Sequence, residues 1–114
     1  MINYTQQQVN DIIQMAKTEA HNAAMEFYND TMRGQDRGCC GFAWVVFNGI
    51  KGNTKLGKML KAAGLTQNWQ KQFHIWNPAN LGVQNVDTLE AGAQAASRVL
   101  NAYGFNTMAQ SRLD

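Results

Sequence analysis

The sequence predicts a small α/β domain in which three helices alternate with three strands, in the order α-β-α-β-α-β. Three observations favour this fold: apolar residues at helical spacing, short runs of aromatic and β-branched residues, and Gly, Asn or Pro between these segments. Two strand–helix–strand units that share a strand favour right-handed crossovers. If the central strand is the first, the two crossover helices lie on opposite faces of the sheet. An antiparallel α+β sheet stays an alternative, because connections of this length allow either direction.

The length and composition fit one domain over residues 1–114. Hydrophobic residues make up 45% of the chain and charged residues 16%, enough apolar material for a core without disulfide bonds. A long N-terminal helix, about residues 6–32, is expected to pack on an α/β core of about residues 40–114.

The first helix is the clearest element of the sequence. Thr5 and Gln8 have the spacing of a capping box, and Gly34 is expected to end the helix. The residues that recur three and four apart form one apolar stripe: Val9, Ile12, Ile13, Ala16, Ala20, Ala23 and Phe27.

The central strand is predicted over residues 42–47, where six consecutive apolar residues suggest burial on both faces. Trp44 and Val46 should lie on one face of this strand. Ala43, Val45 and Phe47 should lie on the other face.

The remaining helices and strands are predicted from capping residues and from residues that end an element. Asn53 or Thr54 can cap a short helix that runs to residue 63, and a second strand, residues 73–76, should end before Pro78. Asp87 is expected to cap a third helix that runs to residue 102, with Glu90 in its first turn. Weak alternation over residues 105–111 predicts a third strand at an edge.

The cysteines and the chain start bear on the compartment. Cys39 and Cys40 are adjacent, which prevents an ordinary disulfide bond, and a small secreted domain usually has spaced cysteines. Residues 1–8 show no secretory signal, and the longest apolar run is too short to span a bilayer. The sequence therefore predicts a cytoplasmic protein without a membrane partner.

Charge points to a ligand site between Lys51 and Lys61. The net charge is +2, but residues 51–86 contain only lysines as charged residues. Gly52 to Lys58 fits seven positions of the phosphate-binding pattern G-x-x-x-x-G-K-[ST], and Met59 replaces the hydroxyl that would bind magnesium, so nucleotide hydrolysis is not expected. Lysines beside aromatic rings suit a nucleotide or a nucleic acid.

The predicted ligand-binding residues are Lys51, Gly52, Asn53, Thr54, Lys55, Lys58, Lys61, Trp69 and Trp76. We expect Lys55, Lys58 and Lys61 to share one accessible face. Trp69, His74 or Trp76 should border the same concavity. The competing interpretation is a solvated lysine face with the tryptophans in the core.

Two other functions stay open. Cys40 and His74 form the one candidate thiol–imidazole pair, which would make the protein a thiol-dependent enzyme if they met beside a cation. A structural or self-associating protein is the third possibility, and the alanine-rich third helix and the long first helix weakly favour a homodimer. The spacing of cysteines and histidines fits no metal site, and no cofactor is implied.

Parts of the chain resemble small uncharacterised proteins of tailed bacteriophages. The resemblance covers residues 40–114 and is carried by the runs Cys40 to Val45, Lys51 to Lys58, Trp76 to Pro78 and Ser111 to Asp114. It implies an infected bacterial cytoplasm and an accessory role that involves a host macromolecule, such as a host protein. It implies no catalytic activity.

Overall fold

A computed structural model describes residues 3–114 of the chain. Its first element is the long helix α1 (Gln6–Asp30). The predicted capping box is present, because the Gln8 N–H donates to the Thr5 hydroxyl and the Thr5 N–H donates to the Gln8 side chain. The helix ends two residues before the predicted boundary, and Gly34 lies in the turn that follows with φ of 72°. Residues 1 and 2 of the predicted domain lie outside the described part.

Four strands form one antiparallel sheet, so the predicted three-stranded α/β sheet is wrong and the α+β alternative is confirmed. The strands are β1 (Gly41–Phe47), β2 (Thr66–Gln67), β3 (Phe73–Trp76) and β4 (Thr107–Leu113), in the spatial order β2-β3-β1-β4. The remaining helices are α2 (Lys55–Ala62) and α3 (Val86–Ala102).

A short hairpin explains the difference in strand direction. The strand that follows α2 is β2, which runs in the same direction as β1 because both are antiparallel to β3. The chain then reverses through residues 68–72, and β3 inserts between β1 and β2. The sequence missed β2 because two residues are too few to show alternation.

The core lies on one face of the sheet, and all three helices contribute to it. Ala43, Val45 and Phe47 belong to this core, whereas Trp44 and Val46 do not, which confirms the predicted alternation along β1. The prediction of helices on both faces of the sheet is therefore wrong. The buried core residues outside β1 include Val9, Ile12, Ile13, Ala16, Ala20, Leu60, Phe73, Ile75, Leu89, Ala93, Ala96, Leu100 and Phe105.

The alanine-rich face of α3 packs against α1. Asn85, and not Asp87, caps α3 by accepting a hydrogen bond from the Thr88 N–H at 2.9 Å. Gly92 lies at the contact, where a Cβ atom would come within 2.7 Å of the Ala79 Cβ and 3.1 Å of the Ala20 carbonyl oxygen. Strand β4 is an edge strand as predicted, shifted two residues toward the C-terminus.

Candidate functional site

Three lysines line one cavity near the end of β1, which we call the lysine cavity. It has a volume of about 680 Å³, and none of its lining residues is acidic. The lining residues are Phe47, Gly49, Ile50, Lys51, Gly52, Asn53, Lys61, Gln67, Gln70, Lys71 and Gln72. With three ammonium groups, several amides and two apolar side chains, the cavity has the chemistry of an anion site beside a small apolar surface.

One wall of the lysine cavity is the turn before α2. Thr54 fixes this turn, because its N–H and its hydroxyl both donate to the Lys51 carbonyl, at 3.2 and 2.7 Å. The same hydroxyl accepts from the Gly57 N–H at 3.0 Å and so caps α2. Gly57 packs directly on the Lys51 carbonyl with no room for a Cβ atom. The turn is thus folded against its own helix and is not an open phosphate-binding loop.

The opposite wall is the turn between β2 and β3. The Asn68 side-chain oxygen accepts from the N–H groups of Gln70 and Gln72, each at 2.9 Å. The Gln67 amide donates to the Lys71 carbonyl at 2.9 Å, and Lys71 has φ of 63°. These bonds hold Lys71 at the cavity in a tight turn.

The structure brings together part of the predicted ligand site. Lys51, Gly52, Asn53 and Lys61 line the lysine cavity, and Thr54 shapes its wall. Lys55 and Lys58 are exposed on α2 and do not line it, so the three lysines of this helix do not share the site. The reason is helix geometry. Around the helix axis, positions 55 and 58 lie about 60° apart, and position 61 lies still further from position 55.

The site prediction left out Lys71 and the glutamines around it, and also Phe47, Gly49 and Ile50. Lys71 belongs to the acid-free lysine stretch, which was the signal available in the sequence. Its place at the cavity depends on the β2–β3 turn, and β2 gave no pattern from which that turn could be inferred.

The predicted aromatic residues do not border the lysine cavity. Trp69 lies in the β2–β3 turn with 88% of its surface exposed. Trp76 and His74 line a different cavity, of about 630 Å³, together with Lys17 and His21 of α1. There the His21 Nδ1 lies 2.8 Å from the Ala79 carbonyl oxygen. The competing interpretation, tryptophans in the core, fails for both of these rings.

Cys40 and His74 are not brought together. Val46 is the β1 residue opposite His74, and Cys40 lies six residues before Val46, a separation of roughly 20 Å along an extended strand. The His74 Nε2 instead lies 2.8 Å from the Thr66 hydroxyl oxygen. Both cysteines are free and exposed. This geometry gives the thiol no imidazole at hydrogen-bonding distance.

The sheet face turned away from the helices carries a cluster of rings, and we call it the open sheet face. Its residues lie in cross-strand register: Trp76, Trp44 and Gln110 in one row, and His74, Val46 and Met108 in the next, with Phe42 opposite Arg112. Val46 is buried although no helix covers it, because a residue flanks it on each neighbouring strand. Trp76 is 50% exposed and Met108 49% exposed.

The described residues 3–114 contain no group of three His, Cys, Asp or Glu side chains that could hold a metal ion. Within the same range, no helix has the length and apolar character needed to cross a bilayer. No family model, curated protein or solved structure matches the chain. The resemblance to bacteriophage proteins therefore stays a prediction.

Proposed function

We propose that this protein is a non-enzymatic binding module that holds a phosphate-bearing small ligand of the nucleotide class in the lysine cavity. The observation that carries the proposal is the convergence of Lys51, Lys61 and Lys71 on one cavity whose lining has no carboxylate. An anion that binds among them gains attraction from all three ammonium groups.

The rest of the lining supports a nucleotide more than a bare phosphate. Phe47 and Ile50 offer an apolar surface beside the lysines, and Asn53, Gln67 and Gln72 offer amide donors and acceptors. A volume of about 680 Å³ lies within the range of pockets that hold small organic ligands. The proposal includes no chemical step, since the lining residues contain no Cys, His, Asp or Glu that could serve as nucleophile or base.

The test is a thermal-shift series with pyrophosphate, AMP, ADP, ATP and adenosine. A ligand at about a hundred times its dissociation constant adds about 2.7 kcal/mol, which should raise the melting temperature by about 10 °C in a domain of this size. We expect a rise with the phosphate compounds and the largest rise with a nucleotide. Adenosine should give little, because it brings no charge to the lysines.

The matched variants are two double substitutions of lysine by glutamine. Lys61→Gln with Lys71→Gln removes two ammonium groups from the cavity, and the thermal shift should disappear. Lys55→Gln with Lys58→Gln removes the same charge from the exposed face of α2, and the shift should remain. Equal loss of the shift in both double variants would contradict the lysine cavity as the site. The absence of any shift with every phosphate compound would contradict the function itself.

A further inference from the structure

We propose that the open sheet face is a second binding surface, on which the bases of a single-stranded nucleic acid stack. This inference goes beyond the proposed function and does not depend on the lysine cavity. The cavity lies beyond the end of β1, whereas the rings lie near the start of that strand.

The first step is the arrangement of the rings. Trp76 stacks on Trp44 with ring centroids 5.3 Å apart and planes inclined by 14°, and Phe42 lies 5.6 Å from Trp76. Trp76 is the outer ring of this stack. Strand β2 pairs with Phe73 and His74 but does not extend alongside Trp76. Half of Trp76 is exposed, so a flat ring can continue the stack. Base–aromatic stacking needs this kind of surface and tolerates any base sequence.

The second step is the polar edge of the same face. The Arg112 guanidinium lies 5.1 Å from the centre of the Phe42 ring, on the strand at the opposite edge from Trp76. The Gln110 amide oxygen accepts from the Trp44 indole N–H at 3.0 Å, which fixes the orientation of Trp44. A nucleic acid that crosses the strands would meet the exposed ring of Trp76 first and a cation about two strand spacings, roughly 10 Å, further on.

The third step is the separation of charge between the two layers. None of the four strands carries an Asp or a Glu, and Arg112 is their one permanently charged residue. Six of the eight carboxylates of the chain lie on α1 and α3, in the layer behind the sheet: Asp11, Glu19, Glu26, Asp30, Asp87 and Glu90. A polyanion therefore meets strands without acidic side chains, with Asp114 at one border of the face. An acidic protein partner would find the Arg112 guanidinium to pair with on this face and few other charged groups.

Asp114 follows β4 and is an acidic residue at the border of this surface. It lines a cavity of about 300 Å³ together with Phe42 and Trp76. Its carboxylate should repel a phosphate backbone, and we expect Asp114→Asn to tighten binding severalfold.

The experiment measures binding of fluorescent single-stranded oligonucleotides of about eight nucleotides, oligo-dU and oligo-U, which differ only in the sugar, by anisotropy at about 0.15 M salt. An abasic oligonucleotide of the same length carries the same phosphates without the bases. We expect both base-bearing strands to bind and the abasic strand to bind at least about tenfold more weakly. A preference for oligo-U would indicate RNA, and equal binding would indicate a surface that does not read the sugar.

Two exposed tryptophans give a matched pair of variants. Trp76→Ala should weaken binding by about tenfold or more, and Trp69→Ala should change it by less than about twofold. Trp76→Phe keeps a ring and should recover most of the affinity, which separates loss of stacking from loss of folding. Arg112→Gln should lower the slope of log affinity against log salt by about one, because one phosphate contact is lost.

Several outcomes would overturn the inference. They are equal binding of the abasic and base-bearing strands, an unchanged affinity in Trp76→Ala, or no binding of either strand. A dimer of the free protein that dissociates in Trp76→Ala would also overturn it, since a second copy would then cover the face.

The lysine-cavity variant with Lys61→Gln and Lys71→Gln should still bind the oligonucleotide. A loss of oligonucleotide binding in that variant, with no effect of Trp76→Ala, would assign nucleic-acid binding to the lysine cavity alone.

Discussion

Asp36 connects the segment before β1 to the start of α3. Its carboxylate accepts hydrogen bonds from the Asn85 side chain at 3.0 Å and from the N–H groups of Gln84 and Asn85 at 2.9 Å each. The bond from the Asn85 side chain, followed by the bond from the Gln84 N–H, lowers the pKa of Asp36 below its ordinary value of 3.8. Stability from this carboxylate is therefore complete above that ordinary value and is lost as the pH falls through the lower, folded-state pKa.

We expect Asp36→Ala to lower the melting temperature at pH 7, because the three donors lose their acceptor. The difference between variant and parent should shrink as the pH falls below about 4, because the unfolded parent is protonated there first, and the folded parent follows at its lower pKa. Melting curves between pH 7 and pH 3 measure this, with the exposed Glu19→Gln as the control. A difference as large at pH 3 as at pH 7 would show that the charge of Asp36 is not what matters.

At the level of single residues, the sequence indicates which residue types could bind an anion, but not which of them lie together in space. The acid-free stretch grouped Lys51 with Lys61, and both line the lysine cavity, but it could not separate Lys61 from Lys55 and Lys58. That separation depends on which side of α2 is buried and on where the β2–β3 turn places Lys71. Both are consequences of tertiary packing.

Among the elements, the contact between α1 and α3 depends on Gly92. Gly92→Ala would gain about 1 kcal/mol in helix propensity. The new Cβ would, however, lie 2.7 Å from the Ala79 Cβ and 3.1 Å from a backbone oxygen of α1, which cannot move without shifting the helix. We expect a net destabilisation of about 1–3 kcal/mol, measured by urea unfolding. Arg98→Ala, an exposed change on the same helix, should leave stability nearly unchanged, and a stabilised Gly92→Ala would contradict the close packing.

The helices were predictable because their burial leaves a repeating pattern over many residues, from Val9 onward in α1 and from Leu89 onward in α3. The direction of the strands was not, because it depends on the two-residue strand β2 and the hairpin that follows it. The predicted cap of α3 failed for a related reason. Asn85 and Asp87 are both good caps, and the contact of Asn85 with Asp36 is long-range.

On the scale of the whole molecule, the linear charge pattern and the spatial one differ. The sequence separates into an acidic first part and a basic second part, but α3 brings acidic residues of the second part to lie beside α1. The result is a layer of helices that holds most carboxylates and a sheet that holds none. The arrangement of the layers, and not the order of charges along the chain, determines where an anion can approach. Both proposed surfaces accordingly lie at the sheet and its loops.

The same architecture predicts an uneven distribution of local stability. Strand β1 is hydrogen-bonded on both sides and belongs to the core, whereas β2 has two residues at the outer edge. Amides of β1 should therefore exchange with solvent only on global unfolding, and amides of residues 66–72 should exchange orders of magnitude faster through local opening. Hydrogen exchange followed residue by residue measures both.

Pyrophosphate should slow exchange in residues 66–72, because that segment supplies Lys71 to the lysine cavity, and should slow it less in Lys61→Gln. Equal exchange rates in β1 and β2 would contradict the layered account, and protection of β1 alone by pyrophosphate would move its site away from the β2–β3 turn.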